Sequence, residues 1–261
     1  MPSSNVAWDI KESVGIVTLS RPEARNALTW EMYDAIVEAC EAAEADNNVR
    51  VLIIRGAGGA FSAGTDIAQF KDYDGADGVA YEKRLDAVID RIERVPLITI
   101  AEVDGVCAGG GCAIALACDL RLCSERAVFG VPIARGLGNC LSITNTARMV
   151  DLIGIAATKD LLLTGRLIDA DEAKRSGLAT EVIASDLLSE EAMKRAVDLA
   201  SRKRSTVEAT KATLLLLRDH HRPKLSAGND IVKKCYGSDD FKEGVSAFVK
   251  KASTIKKASS R

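Results

Sequence analysis

The stretch Leu97 to Cys112, LITIAEVDGVCAGGGC, constrains the fold of this chain more than any other. Leu97 to Val103 is a short apolar run rich in Ile and Val, the pattern of a buried strand. Asp104-Gly105 is a turn signal, and Gly109, Gly110 and Gly111 follow in a row. Cys112 to Cys118 is apolar and Ala-rich, and reads as the start of a buried helix. Glycine lacks a Cβ, and the first N–H groups of a helix have no internal partner. A strand that runs through glycines into a helix therefore brings bare N–H groups up to whatever lies above the sheet. That suits a group that is negative, or becomes negative during a reaction.

The rest of the first half repeats this strand–helix alternation. Val6 to Ile10 and Gly15 to Ser20 alternate apolar with polar and predict a β-hairpin. RPEARNAL is a loop, and Thr29 caps a helix carrying Met32, Ile36, Ala39 and Cys40 at helical spacing. Val51 to Ile54 predicts a buried strand, and Gly56 to Gly64 (GAGGAFSAG) a glycine-rich loop. Gly75 to Val95 predicts a helix stopped by Pro96, and Asp119 to Ser124 a short strand. After Arg135 the pattern is helical: 140–150, 154–164, 170–176, 187–203, 205–220 and 239–252, with one strand at Ala179 to Ile183. The expectation is an α/β core over residues 1–190 and a helical C-terminal region over 191–261.

Several chemistries are excluded. The residue three beyond Gly111 is Ile114, so the dinucleotide fingerprint fails, and no G-x4-G-K-[ST] or G-x-S-x-G occurs. The two histidines, His220 and His221, sit at a charged helix end beside Arg218 and Asp219, where surface exposure is the expectation. A net charge of −2 makes no electrostatic case for nucleic acid. The one basic concentration, Lys250 to Arg261, reads as a solvated, fraying end. Seven cysteines with no CxxC pair fit reduced thiols better than disulfides or a metal site. The N-terminus has no signal-peptide pattern, and no apolar run reaches the roughly 20 residues of a membrane span. A soluble, cytoplasmic protein without membrane or nucleic-acid partners is expected.

Two glycine loops remain, each following a strand: Ser62 to Asp66 and Cys107 to Cys112. Each loop can be a tight turn and nothing more. Two loops that each offer one N–H can also converge on a single oxygen and form an oxyanion hole.

The order of motifs resembles the crotonase, or enoyl-CoA hydratase/isomerase, superfamily. The strings are GIVTLSRPEARNAL, VRVLIIRGAGGAFSAGTDI, TIAEVDGVCAGGGC, ACDLRLCSERAVFGVPIARGLG, LLLTGRLIDADEAKRSGLATEVI and the tail EGVSAFVKK. The resemblance implies a spiral of ββα units with a helical C-terminal region, assembled as a homotrimer or dimer of trimers. It implies that the N–H groups of Thr65 and Gly110 bind the carbonyl oxygen of an acyl-CoA thioester. It also implies a coenzyme A site at Arg25, Ala63, Asp66 and Ile67, completed by Phe248 and Lys251 from a neighbouring subunit. Coenzyme A would enter as part of the substrate, with no tightly bound cofactor.

The chain departs from the family where proton transfer is expected. Family hydratases carry one glutamate after the glycine cluster and one after FGxP; here those positions are Ala113 and Ile133. Neither side chain can carry a proton, so the two-glutamate hydration mechanism does not transfer. The later turn, Gly138 to Ser142, contains no acid either. It resembles the GND turn of the 4-chlorobenzoyl-CoA dehalogenases, which puts Cys140 where those enzymes have a nucleophilic aspartate. Cys140 is then either a helix-N-terminal nucleophile or a small space-filling residue. Asp90 matches a dehalogenase histidine by position, and otherwise reads as a solvated helix face. Three functions stay open: enolate chemistry on an acyl-CoA, thioester hydrolysis or displacement through Cys140, and binding of a CoA ester without catalysis.

Overall fold

The structure is a computed structural model and describes residues 5–259. The hairpin forms as expected: β1 (Val6–Lys11) pairs antiparallel with β2 (Val14–Leu19), with Ile10 opposite Gly15. Beyond β2 every pairing in this sheet is parallel. β3 (Val51–Gly56), β4 (Ile98–Val103), β6 (Leu120–Ser124) and β9 (Glu181–Ile183) follow in the order β1-β2-β3-β4-β6-β9. Parallel strands are covered on both faces, which is why VLII at 51–54 is apolar throughout rather than alternating.

One face carries Val14, Ile16, Val51, Ile53, Ile100 and Leu122. It packs on α7 (Leu188–Ala200), whose Leu188, Ala192 and Ala196 recur every four residues along one side. The other face packs on α1 (Trp30–Ala45), α2 (Gly75–Glu93) and α3 (Gly110–Ala117). The boundary expected near residue 190 thus falls inside α7, a helix of the sheet's own core. The C-terminal helices share the main core as well. α9 (Asn229–Tyr236) contributes Val232 and Tyr236, and α10 (Asp239–Ser259) contributes Phe241 and Val245.

A second, smaller sheet positions the site. β5 (Val106–Ala108), β7 (Val128–Gly130) and β8 (Ile168–Asp169) form it, and isolated bridges extend it from Cys107 to Ser62 and from Thr65 to Leu28. These strands have two or three residues, too few for a period, so the sequence pattern did not announce them. The remaining helices are α4 (Ile133–Gly136), α5 (Ile143–Thr164), α6 (Ala170–Arg175) and α8 (Arg204–His221). The two helices expected at 140–150 and 154–164 meet at Gly154, whose φ of 75° breaks the helical path. The first begins only after the Ser142 cap. Among the described residues no helix is long and apolar enough to cross a membrane, and all seven cysteines are free. Of the basic tail, Ser260 and Arg261 lie outside the described residues.

Candidate active site

The first glycine loop is clamped between two neighbours by backbone bonds. On one side Ser62 N–H donates to Val106 O at 3.0 Å, and Ala108 N–H donates to Ser62 O at 2.9 Å. On the other, Ala63 N–H donates to Arg25 O, Leu28 N–H to Gly64 O and Asp66 N–H to Leu28 O. β5 leads into Gly109, whose φ of 51° with ψ −122° is open to glycine alone. The next residue, Gly110, is the first of α3. A β-carbon there would lie 2.2 Å from Tyr33 Oη, 2.9 Å from Thr65 Oγ1 and 3.4 Å from Thr65 N, so only glycine permits this approach. Thr65 Oγ1 is itself held by the hydroxyls of Tyr33 (2.8 Å) and Tyr81 (2.7 Å). Neither the Thr65 N–H nor the Gly110 N–H has a hydrogen-bond acceptor among the described residues. Two free N–H donors thus stand side by side.

Both line a cavity of about 570 Å³. Phe70, Leu85, Val131 and Leu137 make much of its wall apolar, and burial of this kind strengthens any charge–dipole contact inside. Ala113 on α3 and Ile133 at the start of α4 also line it, so hydrocarbon occupies both positions at which the resemblance implies a glutamate.

Of the residues expected to hold coenzyme A, Ala63, Ile67, Phe248 and Lys251 line this cavity. Phe248 and Lys251 reach it from α10 of the same chain. Arg25 and Asp66 do not line it. Arg25 is exposed and serves the loop through its carbonyl. Asp66 accepts from Arg21 Nη1 at 2.7 Å and caps the short helix Ile67–Phe70.

Cys140 departs from the nucleophile reading. It sits two residues before the Ser142 cap, not at the helix N-terminus, and does not line the cavity. Burial, followed by the neighbouring Cys235 and Glu82, pushes its thiol well above the ordinary range, the opposite of an activated thiolate. Its neighbour Asn139 does line the cavity. Asn139 Nδ2 donates to Tyr236 Oη at 3.1 Å, while Oδ1 is buried with no hydrogen-bond partner among the described residues. Asp90 lies away from the cavity, paired with Arg94 (2.6 Å) and Arg218 (3.1 Å). His220 and His221 are exposed.

No sequence motif points to Glu82. It is the one carboxylate among the described residues that line the cavity, and it is 4% exposed. Tyr236 Oη donates to its Oε1 at 2.6 Å and Ser142 N–H to its Oε2 at 3.0 Å. Burial raises its carboxyl to about 8; the negative charge of Asp86 adds to this, and the two hydrogen bonds oppose it. A signal was present: Gly78, Glu82, Leu85, Ile89 and Ile92 form one helical stripe, and an acid within an apolar stripe is a buried acid.

The sequence profile of the family described as enoyl-CoA hydratase/isomerase matches residues 9–256. A probable enoyl-CoA hydratase of Mycobacterium leprae is 35% identical over 260 residues, covering 96% of this chain and 97% of that protein. A crotonyl-CoA hydratase of Syntrophomonas wolfei is 33% identical, covering 96% and 97%. A solved structure of an enoyl-CoA hydratase/isomerase from Xanthobacter autotrophicus superposes with a TM-score of 0.81 at 30% identity, covering 94% of this chain and 96% of that one.

Proposed function

We propose that this chain, which belongs to the enoyl-CoA hydratase/isomerase family, binds an acyl-CoA thioester and stabilises its enolate with the N–H groups of Thr65 and Gly110. The observation that carries this is the pair of free N–H donors on the wall of a largely apolar cavity. Removing an α-proton moves negative charge onto the thioester oxygen. Donors already in place favour that charged state over the neutral ground state. With Ala113 and Ile133 in the wall, no pair of carboxylates is there to position water, so the reading favours proton transfer over hydration. The relatives' hydratase names supply the substrate class, an acyl-CoA, and no more than that.

Assembly as a homotrimer or dimer of trimers and work in the cytoplasm belong to the same reading. The free cysteines support the second, and the first is supported by α8, which leaves Leu214, Leu216 and Leu217 exposed.

A panel of CoA thioesters tests the reading, with binding followed by thermal shift and products by mass. Stabilisation by at least one acyl-CoA, with hydration of crotonyl-CoA negligible, is expected. Failure of every thioester to bind sinks the reading, and rapid hydration of crotonyl-CoA sinks the role given to Ala113 and Ile133. Binding without any chemistry leaves a CoA-ester-binding protein. Restoring both acids, Ala113→Glu with Ile133→Glu, is expected to raise hydration.

A further inference from the structure

Glu82 and Asp86 are one turn apart on α2 and project from the same side of it. Both are nearly sealed from solvent, at 4% and 3% exposure. Glu82 lines the main cavity and also a second one of about 290 Å³ behind it, whose wall includes Asp86, Lys83 and Ser142. Ser142 joins the two acids: its N–H donates to Glu82 Oε2 at 3.0 Å and its hydroxyl to Asp86 Oδ1 at 2.8 Å. Asp86 Oδ2 is buried without a hydrogen-bond partner among the described residues.

We propose that Glu82 takes and returns the proton of the bound thioester, and that Asp86 positions and tunes it from the second cavity. This rests on the enolate reading above. In the step, a Glu82 carboxylate oxygen forms an O–H bond with the α-proton as the C–H bond breaks. The C–H electron pair becomes the Cα–C double bond, and the carbonyl π pair moves onto the thioester oxygen beside Thr65 and Gly110. Glu82 is then a neutral acid that returns the proton to the α-carbon, or to the γ-carbon of an unsaturated chain. No other reactant is consumed.

The alternatives on the cavity wall are poorer. The Tyr81 hydroxyl is engaged with Thr65, burial first of all holds its phenol well above the ordinary range, and Arg135 and Lys251 are exposed cations. A buried carboxyl raised to about 8 supports the assignment, because it holds a proton near neutral pH and still releases it. The titratable groups facing it are Asp86 and Tyr81 from α2, Tyr33 from α1, Cys140 from the turn before α5 and Tyr236 from α9. Asp86 in turn faces Arg148 of α5.

Exchange of α-protons with deuterated water tests this, with butyryl-CoA and phenylacetyl-CoA as probes and binding measured by calorimetry. Wild-type protein is expected to exchange, with a rate that rises through about pH 8. Glu82→Gln is expected to bind with unchanged Kd and to exchange at least ~100-fold more slowly. Asp86→Asn removes the charge that raises Glu82, so the midpoint of the pH profile moves down. Tyr236→Phe removes the donor that lowers Glu82, so the midpoint moves up; this variant decides the matter if Glu82→Gln does not fold. Exchange that persists in Glu82→Gln, or midpoints unmoved by both neighbours, overturns the assignment to Glu82 alone. Wild-type protein that binds thioesters but exchanges nothing overturns the enolate reading and this inference with it.

Discussion

Two side chains and one missing side chain decide what the site can do. Gly110 has no room for a β-carbon, with Tyr33 Oη 2.2 Å from where it would be. Gly110→Ala is therefore expected to push the N–H out of line and to lower turnover of the true substrate 100- to 1,000-fold, about 3–4 kcal/mol of barrier. Tyr33→Phe in the same chain removes the nearest clash, leaving the Thr65 Oγ1 contact at 2.9 Å, and is expected to recover part of the loss. Full activity in Gly110→Ala would remove the donor from the mechanism. Glu82 makes a second prediction, on stability. Its folded carboxyl sits at about 8 against an unfolded value of 4.5, so the folded state holds its proton more tightly. The cost of ionising it is absent below about pH 4.5, grows as pH rises and is complete above about 8. Glu82→Gln, neutral at every pH, is expected to gain stability relative to wild type by a few kcal/mol between pH 5 and 9 in parallel denaturant titrations. Its amide also faces the Ser142 N–H, which adds a constant offset, so the slope is what counts.

At the scale of elements, the second sheet brings the loops together and α10 closes the cavity. α10 lies close because Gly244 has no side chain: a β-carbon would meet Leu137 O at 2.4 Å and Gly136 O at 3.0 Å. Gly244→Ala is expected to lift the helix off α4, take Ala247, Phe248 and Lys251 away from the cavity, and raise the Kd for acyl-CoA about tenfold, ~1.4 kcal/mol. An unchanged Kd would mean that this wall does not touch the ligand. Long elements were legible in advance. α2 starts at Gly75 behind an Asp74–Asp77 capping box, and β4, the glycine turn and α3 follow one another as their residues predict. β5, β7 and β8 were not, since two or three residues carry no period and pair only when distant strands arrive beside them. α9 carries little sequence signal for a related reason: of its eight residues only Val232 and Tyr236 are buried.

At the scale of the molecule, the C-terminal helices are fastened to the core by charge as well as by packing. Glu93 at the end of α2 receives Arg148 of α5 at 2.7 Å, Arg218 of α8 at 2.7 Å and Arg222, which caps α8, at 3.1 Å. Burial alone would raise its carboxyl, but the three guanidiniums outweigh it and hold the group below its usual range. A lowered carboxyl stabilises the folded state above its unfolded value of 4.5, and that stability is lost as pH falls through the folded value. Glu93→Gln leaves the buried Arg148 without its counter-charge. It is expected to cost about 3–5 kcal/mol at pH 7 in chemical denaturation, and to flatten the fall in stability below pH 4.5. Loss of less than about 1 kcal/mol would mean that the three arginines find other partners among Asp90, Asp151 and Asp219.

By themselves the residues determined the alternation of strand and helix, the glycines at strand ends and the absence of acids at 113 and 133, because each depends on local periodicity or on a residue's identity. They pointed to Thr65 and Gly110 as well, through the order of motifs. Only the tertiary structure decided that α10 of the same chain lines the cavity, that Cys140 does not, and that a carboxyl from α2 does. Burial and proton affinity are set by what packs around a group. Glu82 becomes a candidate acid only once Tyr236 and Ser142, 154 and 60 residues away along the chain, are in hydrogen-bond contact with it.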